Sequence, residues 1–203
     1  MAVRVEVGLK EHLFDARGSR VHKHIAHTFP RLKALGKVYC FDVYHVEHDI
    51  APDILREAFC DPVIQDMATD GVLRNIPGWY IEVGFKPGVT DNVGASAQYA
   101  LELITARKTR VFSARGYLVT GELERDEVEA LAGECLANTL IHTVRIFRTP
   151  PPGKVEASIA MDPPRSLPRV EEISLEIPDE DLLRLSQART LALNLDEMRA
   201  IAA

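Results

Sequence analysis

Few side chains in this sequence combine a reactive type with a useful spacing. His22, His24 and His27 form the densest group. On a helix, His24 and His27 share a face at i, i+3, which suits a metal ion if a carboxylate joins them. A solvated polar face opposite Val21, Ile25 and Phe29 accounts for the same residues. His45 and His48 follow a strand-like run and have no set of Cys or Asp ligands around them. Cys40, Cys60 and Cys135 are far apart and form no CxxC pair. None sits in a Gly-x-Cys-x-Gly elbow, so a glutaminase-type nucleophile is not expected and buried, reduced thiols are. Gly8, Gly18 and Gly36 are isolated and build no phosphate loop. Glu6 and Glu82 recur in matching contexts, as paired carboxylates would. Strand alternation puts both on the face opposite the valines, which predicts a surface or interface role. Lys10 and Lys86, with Arg107, Lys108 and Arg110, offer positive charge to an acidic partner or simply to water.

The elements that carry these residues occur twice. Val5-Glu6-Val7-Gly8-Leu9-Lys10 matches Ile81-Glu82-Val83-Gly84-Phe85-Lys86. At the same offset Asp15 meets Asp91 and Gly18 meets Gly94. After a small shift Val38 aligns with Val111, Tyr44 with Tyr117, Val46 with Val119 and Asp53 with Asp126. Pro62-Val63-Ile64 then faces Thr139-Leu140-Ile141. A constant order of matches points to duplication.

Each copy predicts strand–helix–strand–helix–strand. Val3, Val5, Val7 and Leu9 alternate with polar residues, as do Trp79, Ile81, Val83 and Phe85. Val21, Ile25 and Phe29 fall on one helical face, and so do Val93, Ala97, Leu101 and Ile104. Asp15 is a candidate N-cap and Pro52 a first-turn proline. Lys37–Val46 and Val111–Thr120 predict strands, with Gly116 a point of kinking or close approach. Short closing strands are expected near Val63 and Ile64 and over Leu140–Phe147. The fold class is therefore α+β, with helices on an antiparallel sheet. A copy of about 70 residues buries a modest core, so the two are expected to pack as an intramolecular pseudo-dimer that buries their apolar sheets against each other.

The expected divisions are 1–76, 77–148 and 149–203. The third opens with Pro150-Pro151-Pro152-Gly153 and contains Pro163, Pro164 and Pro168, which predicts an extended course. Val170–Ile177 is expected to add one strand. Asp179-Glu180-Asp181 reads as the acidic first turn of a helix bearing Leu182, Leu183 and Leu185. A last helix from Leu195 stops in mid-pattern, and a longer protein is expected to continue past Ala203.

Composition narrows the class. The chain has 203 residues, is 46% hydrophobic and carries a net charge of −6 with the signs interleaved. No dominant basic run marks a nucleic-acid partner, and no apolar stretch is long enough for a membrane helix. Met1-Ala2-Val3-Arg4-Val5-Glu6 lacks the pattern of a signal peptide, so a cytoplasmic location is expected.

The run Tyr80-Ile81-Glu82-Val83-Gly84-Phe85-Lys86-Pro87-Gly88-Val89-Thr90-Asp91-Asn92-Val93-Gly94 resembles the opening of a PurS subunit. The first copy keeps Lys10, Asp15 and Gly18 but has Glu11-His12 in place of Pro-Gly. Leu136-Ala137-Asn138-Thr139 and Cys60-Asp61-Pro62 each keep part of the Leu-Ala-Asn-Pro-like run of that family. Leu183-Arg184-Leu185-Ser186 through Arg189 to Met198 is similar to the first helices of the synthase subunit of formylglycinamidine ribonucleotide synthase. The resemblance implies the N-terminal, non-catalytic assembly region of that purine-biosynthesis enzyme, an ATP- and glutamine-dependent carbon–nitrogen ligase. It implies a glutaminase and the synthase catalytic domain as partners. No catalytic, metal or cofactor residue is expected here, with ATP and magnesium confined to the full synthase. Lys86, Pro87, Asn138, Arg189 and Asn194, all in the resembling segments, are singled out as partner-facing positions. The alternative is a regulatory domain that senses a small molecule at the interface of the paired units.

Overall fold

The computed structural model describes residues 2–159 and 173–202. By contact density the chain divides into Met1–Pro163 and Pro164–Ala203. The first unit runs β1 (Val3–Leu9), α1 (Ala16–Thr28), β2 (Leu35–Val46), α2 (Pro52–Phe59) and β3 (Gln65–Thr69). It then repeats the order with β4 (Gly78–Phe85), α3 (Asn92–Thr105), β5 (Val111–Gly121), α4 (Arg125–Leu131) and β6 (His142–Thr149). A π-helical turn, Ala132–Leu136, extends α4. The closing strands start a little later than expected, because Val63, Ile64, Leu140 and Ile141 form the turns before β3 and β6.

The six strands form one antiparallel sheet in the order β3-β1-β2-β5-β4-β6. The expectation that two apolar sheets would bury against each other is corrected here: the halves join edge to edge through β2 and β5. Pairing the two free edges satisfies their backbone groups and leaves a single sheet with two faces to cover.

One face is helical. It carries Val3, Val5 and Val7 of β1, Val38 and Cys40 of β2, Trp79, Ile81 and Val83 of β4, and Tyr117 and Val119 of β5. The helices are shared between the halves. Ile25 of α1 and Val128 and Leu131 of α4 enter one core cluster, while Leu55 of α2 and Ala97 and Leu101 of α3 enter the other.

Among the described residues of the first unit, non-helical segments cover the second face. The connector 70–77 lies on it, with Val72, Leu73 and Ile76 packed on Phe41, Tyr80 and Leu118. Residues 150–159 follow, pinned by Val155 N–H donating to the Asp70 carbonyl at 3.1 Å. This cover explains why β2 is apolar on both sides.

In the second unit α5 (Asp179–Ala188) and α6 (Leu195–Ala202) pack together, and Leu182 and Met198 are buried. Asn194 caps α6: Glu197 N–H donates to Asn194 Oδ1 at 3.0 Å and Asn194 N–H to Glu197 Oε2 at 2.8 Å. Of the strand expected over Val170–Ile177, residues 170–172 lie outside the described residues, and residues 173–177 form none.

Candidate functional site: a buried charged cluster and its cleft

Strand alternation sends Arg4 and Glu6 of β1, His45 of β2, Tyr80 and Glu82 of β4, and Arg145 of β6 to the non-helical face. All but Arg145 are buried. Of the surface or interface role expected of Glu6 and Glu82, the surface alternative is corrected: both carboxylates are buried. His45 is also more than a residue trailing a strand, since it lies within β2 and faces Glu82.

Arg4 organises the cluster. Its Nε donates to Glu82 Oε2 and its Nη2 to Glu6 Oε2, both at 2.7 Å. Nη1 donates to the Gly71 carbonyl at 2.5 Å, and Nη2 also meets Tyr80 Oη at 3.0 Å. Tyr80 Oη donates to Glu6 Oε2 at 2.5 Å, while Leu73 N–H donates to Glu6 Oε1 at 2.8 Å. One guanidinium thus bridges the repeated glutamates of the two halves.

The strands between β1 and β4 must stay low for this. A Cβ at Gly116 would run into the Tyr80 ring, so glycine there lets the ring lie down over β5. Tyr80 then stacks between Phe41 at 6.0 Å and Phe147 at 4.9 Å, centroid to centroid.

Glu82 has a second carboxylate oxygen. His45 Nε2 lies 3.3 Å from Glu82 Oε1, and Arg145 Nε lies 3.6 Å from it. Ser158 N–H donates to His45 Nδ1 at 3.1 Å. An accepting Nδ1 places the ring proton on Nε2, where it points at Glu82. His45 therefore ties the segment 150–159 to the cluster, and Arg145 Nη1 adds a bond to the Glu156 carbonyl at 3.0 Å.

The electrostatics follow. Burial opposes ionisation of Glu82, but the His45 bond and the nearby Arg4 and Arg145 charges bring its pKa down to about 2. Burial also works against the Arg4 charge, and the surrounding Tyr80, Glu6 and Glu82 more than restore it, so Arg4 is held above its ordinary value. Burial, with Glu6 alongside, pushes the Tyr80 hydroxyl well up. Among the described residues every buried side-chain nitrogen and oxygen has a hydrogen-bond partner. The chemistry of such a cluster is cohesion, since each donor and acceptor is already engaged.

His45, Glu82 and Arg145 also line a cleft of about 530 Å³, bounded by residues 84–91 and by Phe112, Ser113 and Thr143. Its polar wall is built by Asp91. That carboxylate caps α3 through Gly94 N–H at 2.7 Å and accepts Ser113 N–H at 2.5 Å and Ser113 Oγ at 2.7 Å.

Among the other residues singled out by type and spacing, Lys86 and Pro87 line the same cleft. Lys86 Nζ donates to the Thr139 carbonyl at 2.5 Å, so Lys86 and the neighbouring Asn138 come together at one turn beside exposed Pro87. Asn138 holds that turn through Oδ1, which accepts Leu140 N–H at 2.9 Å. Arg189 and Asn194 are exposed in the second unit and flank the α5–α6 loop. His24 and His27 are exposed on α1, and among the described residues no group of three His, Cys, Asp or Glu is arranged to hold a metal ion. Burial pushes the Cys40 thiol up to about 12, which leaves it unreactive at neutral pH. Among the described residues no helix is long and apolar enough to cross a membrane.

The repeat in the sequence points to Glu6 and Glu82, and the glycine within a strand to a close approach at Gly116, but neither points to Arg4 and Tyr80 as partners. A signal for both was present: Arg4 and Tyr80 stand at the same offset as Glu6 and Glu82, two residues before each glutamate. The chain matches no family model and no curated protein.

Proposed function

We propose that this chain is the N-terminal assembly region of a phosphoribosylformylglycinamidine synthase, where two PurS-like units act as a fused dimer that docks a glutaminase and the synthase catalytic domain. The reading rests on the sequence resemblance and on one structural observation: the repeated residues do the same work in both halves. Lys10 Nζ donates to the Pro62 carbonyl as Lys86 Nζ does to that of Thr139. Asp15 caps α1 through Gly18 N–H and accepts Cys40 N–H, as Asp91 does with Gly94 and Ser113. Such residues hold a scaffold together, and the Arg4 cluster locks its halves into one rigid body. A rigid body with satisfied polar groups suits positioning other domains better than turnover. Co-expression with a separately encoded glutaminase and synthase core tests it. The expected result is a stable complex containing all three, and a folded chain that retains neither partner overturns the proposal.

The cleft beside Glu82, His45 and Arg145 favours a second reading, a sensor for a small polar molecule. A rise in melting temperature with purine nucleotides or amino acids, lost in Arg145→Ala, would support it over docking alone.

A further inference from the structure

Val155 and Glu156 are fastened to the fold by their own backbone atoms, and the three residues after them hang on a single side chain. Val155 is buried, its N–H donates to the Asp70 carbonyl at 3.1 Å, and the Glu156 carbonyl accepts Arg145 Nη1 at 3.0 Å. Among the described residues, Ala157, Ser158 and Ile159 are held by one hydrogen bond, from Ser158 N–H to His45 Nδ1 at 3.1 Å. Ser158 and Ile159 also form part of the cleft wall.

That bond requires an unprotonated Nδ1. His45 is buried, and its Nε2 lies 3.3 Å from Glu82 Oε1. A second ring proton would sit on Nδ1 and face the Ser158 N–H, donor against donor. The two cannot coexist in this geometry.

The surrounding charges add to the conflict. Arg4 lies in register with His45 on β1, Glu82 faces it from β4, and Arg145 of β6 shares the same Glu82 oxygen. Phe112, the partner on β5, carries no charge. With Glu6 included and the Tyr80 hydroxyl kept protonated, two guanidinium groups balance two carboxylates. On the covering segments Lys154 pairs with Asp70 at 3.5 Å and Glu156 is exposed, and just past β2 Glu47 pairs with Arg110 at 2.7 Å. An imidazolium would therefore add an unbalanced charge to a buried, balanced cluster. Water reaches it once residues 157–159 move away.

We propose that His45 is a proton-controlled latch on the cleft, holding residues 157–159 in place while neutral and releasing them when it takes up a proton. The held segment binds one proton fewer at His45 than the released one, so release is favoured as pH falls. Histidine side chains ordinarily titrate between about pH 5 and 8, within reach of physiological change. Glu82, with its pKa at about 2, stays ionised throughout that range and takes no part in the switch. The bonds of Val155 and Glu156 involve no group that titrates there, so those two residues form the pivot. The latch acts on the cleft whether the chain docks partners or senses a ligand.

Nitrogen NMR of the histidine rings, combined with amide exchange on the full chain, tests the latch. Between about pH 8 and 5.5, Ser158 amide protection, corrected for the intrinsic rate, should fall roughly fivefold or more, in step with protonation of His45 Nδ1. Val155 and the β2–β5 ladder should keep their protection. Ser158→Pro removes the donor, so by reciprocal linkage His45 should take up its proton about half a pH unit higher. In His45→Gln, checked for folding by circular dichroism, Ser158 protection should not change with pH. Steady Ser158 protection while Nδ1 takes up a proton overturns the proposal, as does a His45 that stays neutral down to about pH 5. An unmoved His45 midpoint in Ser158→Pro overturns it as well. So does loss of protection in the segment and the ladder together, which is general acid unfolding.

Discussion

Asp42 and Arg115 face each other in the middle of the β2–β5 ladder, and each stands at the same position of its own half. The equivalence follows from Cys40 and Ser113, whose N–H groups meet the matching carboxylates of Asp15 and Asp91. Val38 pairs with Val119 and Val46 with Val111, so the ladder reads alike from either end. That is the register of an isologous dimer contact, here made within one chain. In a true homodimer the central position would face its own copy. Within one chain that position is free to differ, and it carries opposite charges in the two halves.

Loss of the Arg4 guanidinium should be the most damaging single change in the buried cluster. Arg4→Met leaves Glu6 and Glu82 buried without their shared cation, and a loss of ~3–5 kcal/mol is expected in urea unfolding. Combining it with Glu6→Gln and Glu82→Gln removes the stranded charges and should recover part of that stability.

The depressed pKa of Glu82 sets a pH window. The carboxyl ionises at about 2 in the folded chain against an ordinary value of 4.5. Its stabilisation is complete above the unfolded value and disappears as pH falls from about 4.5 toward 2. That gap corresponds to ~3 kcal/mol. Unfolding midpoints of Glu82→Gln should fall less steeply than wild type across that range.

The matched caps make a matched pair of variants. Asp15→Ala and Asp91→Ala each remove a helix cap and a bond to the adjoining strand, and each should cost about 2 kcal/mol. Gly18→Ala and Gly94→Ala should be at least as harmful, since a Cβ would press on the Val38 and Val111 carbonyls respectively. Thermal unfolding of all four variants checks this.

Two backbone donors pin the segment over the second face, Val155 N–H on the Asp70 carbonyl and Ser158 N–H on His45. Ser158→Pro removes the N–H that reaches His45 and should cost about 1 kcal/mol. Amide exchange should rise in residues 150–159 first, with the β2–β5 ladder still protected.

Much of this architecture was legible in the residues. The alternation of Val3, Val5 and Val7, the cap at Asp15, the first-turn proline Pro52, and the pairing of Pro62-Val63-Ile64 with Thr139-Leu140-Ile141 are local patterns, and local geometry follows from them. How the halves meet was not legible. An apolar β2 is equally compatible with a second sheet above it or with a connector laid across it, and only the path of residues 70–77 and 150–159 decides. The burial of Glu6 and Glu82 was hidden for the same reason: alternation assigns a face, but not what covers it. The Arg4 cluster spans four strands, a distance over which sequence periodicity carries no information.

Glutamine-dependent amidine formation tests the central claim most directly. A glutaminase and a synthase core would be mixed with and without this chain added separately. Docking by this chain requires that glutamine-dependent turnover appear only when the chain is present, while turnover on free ammonia stays the same. Full glutamine-dependent turnover without the chain, or none with it, would contradict the account.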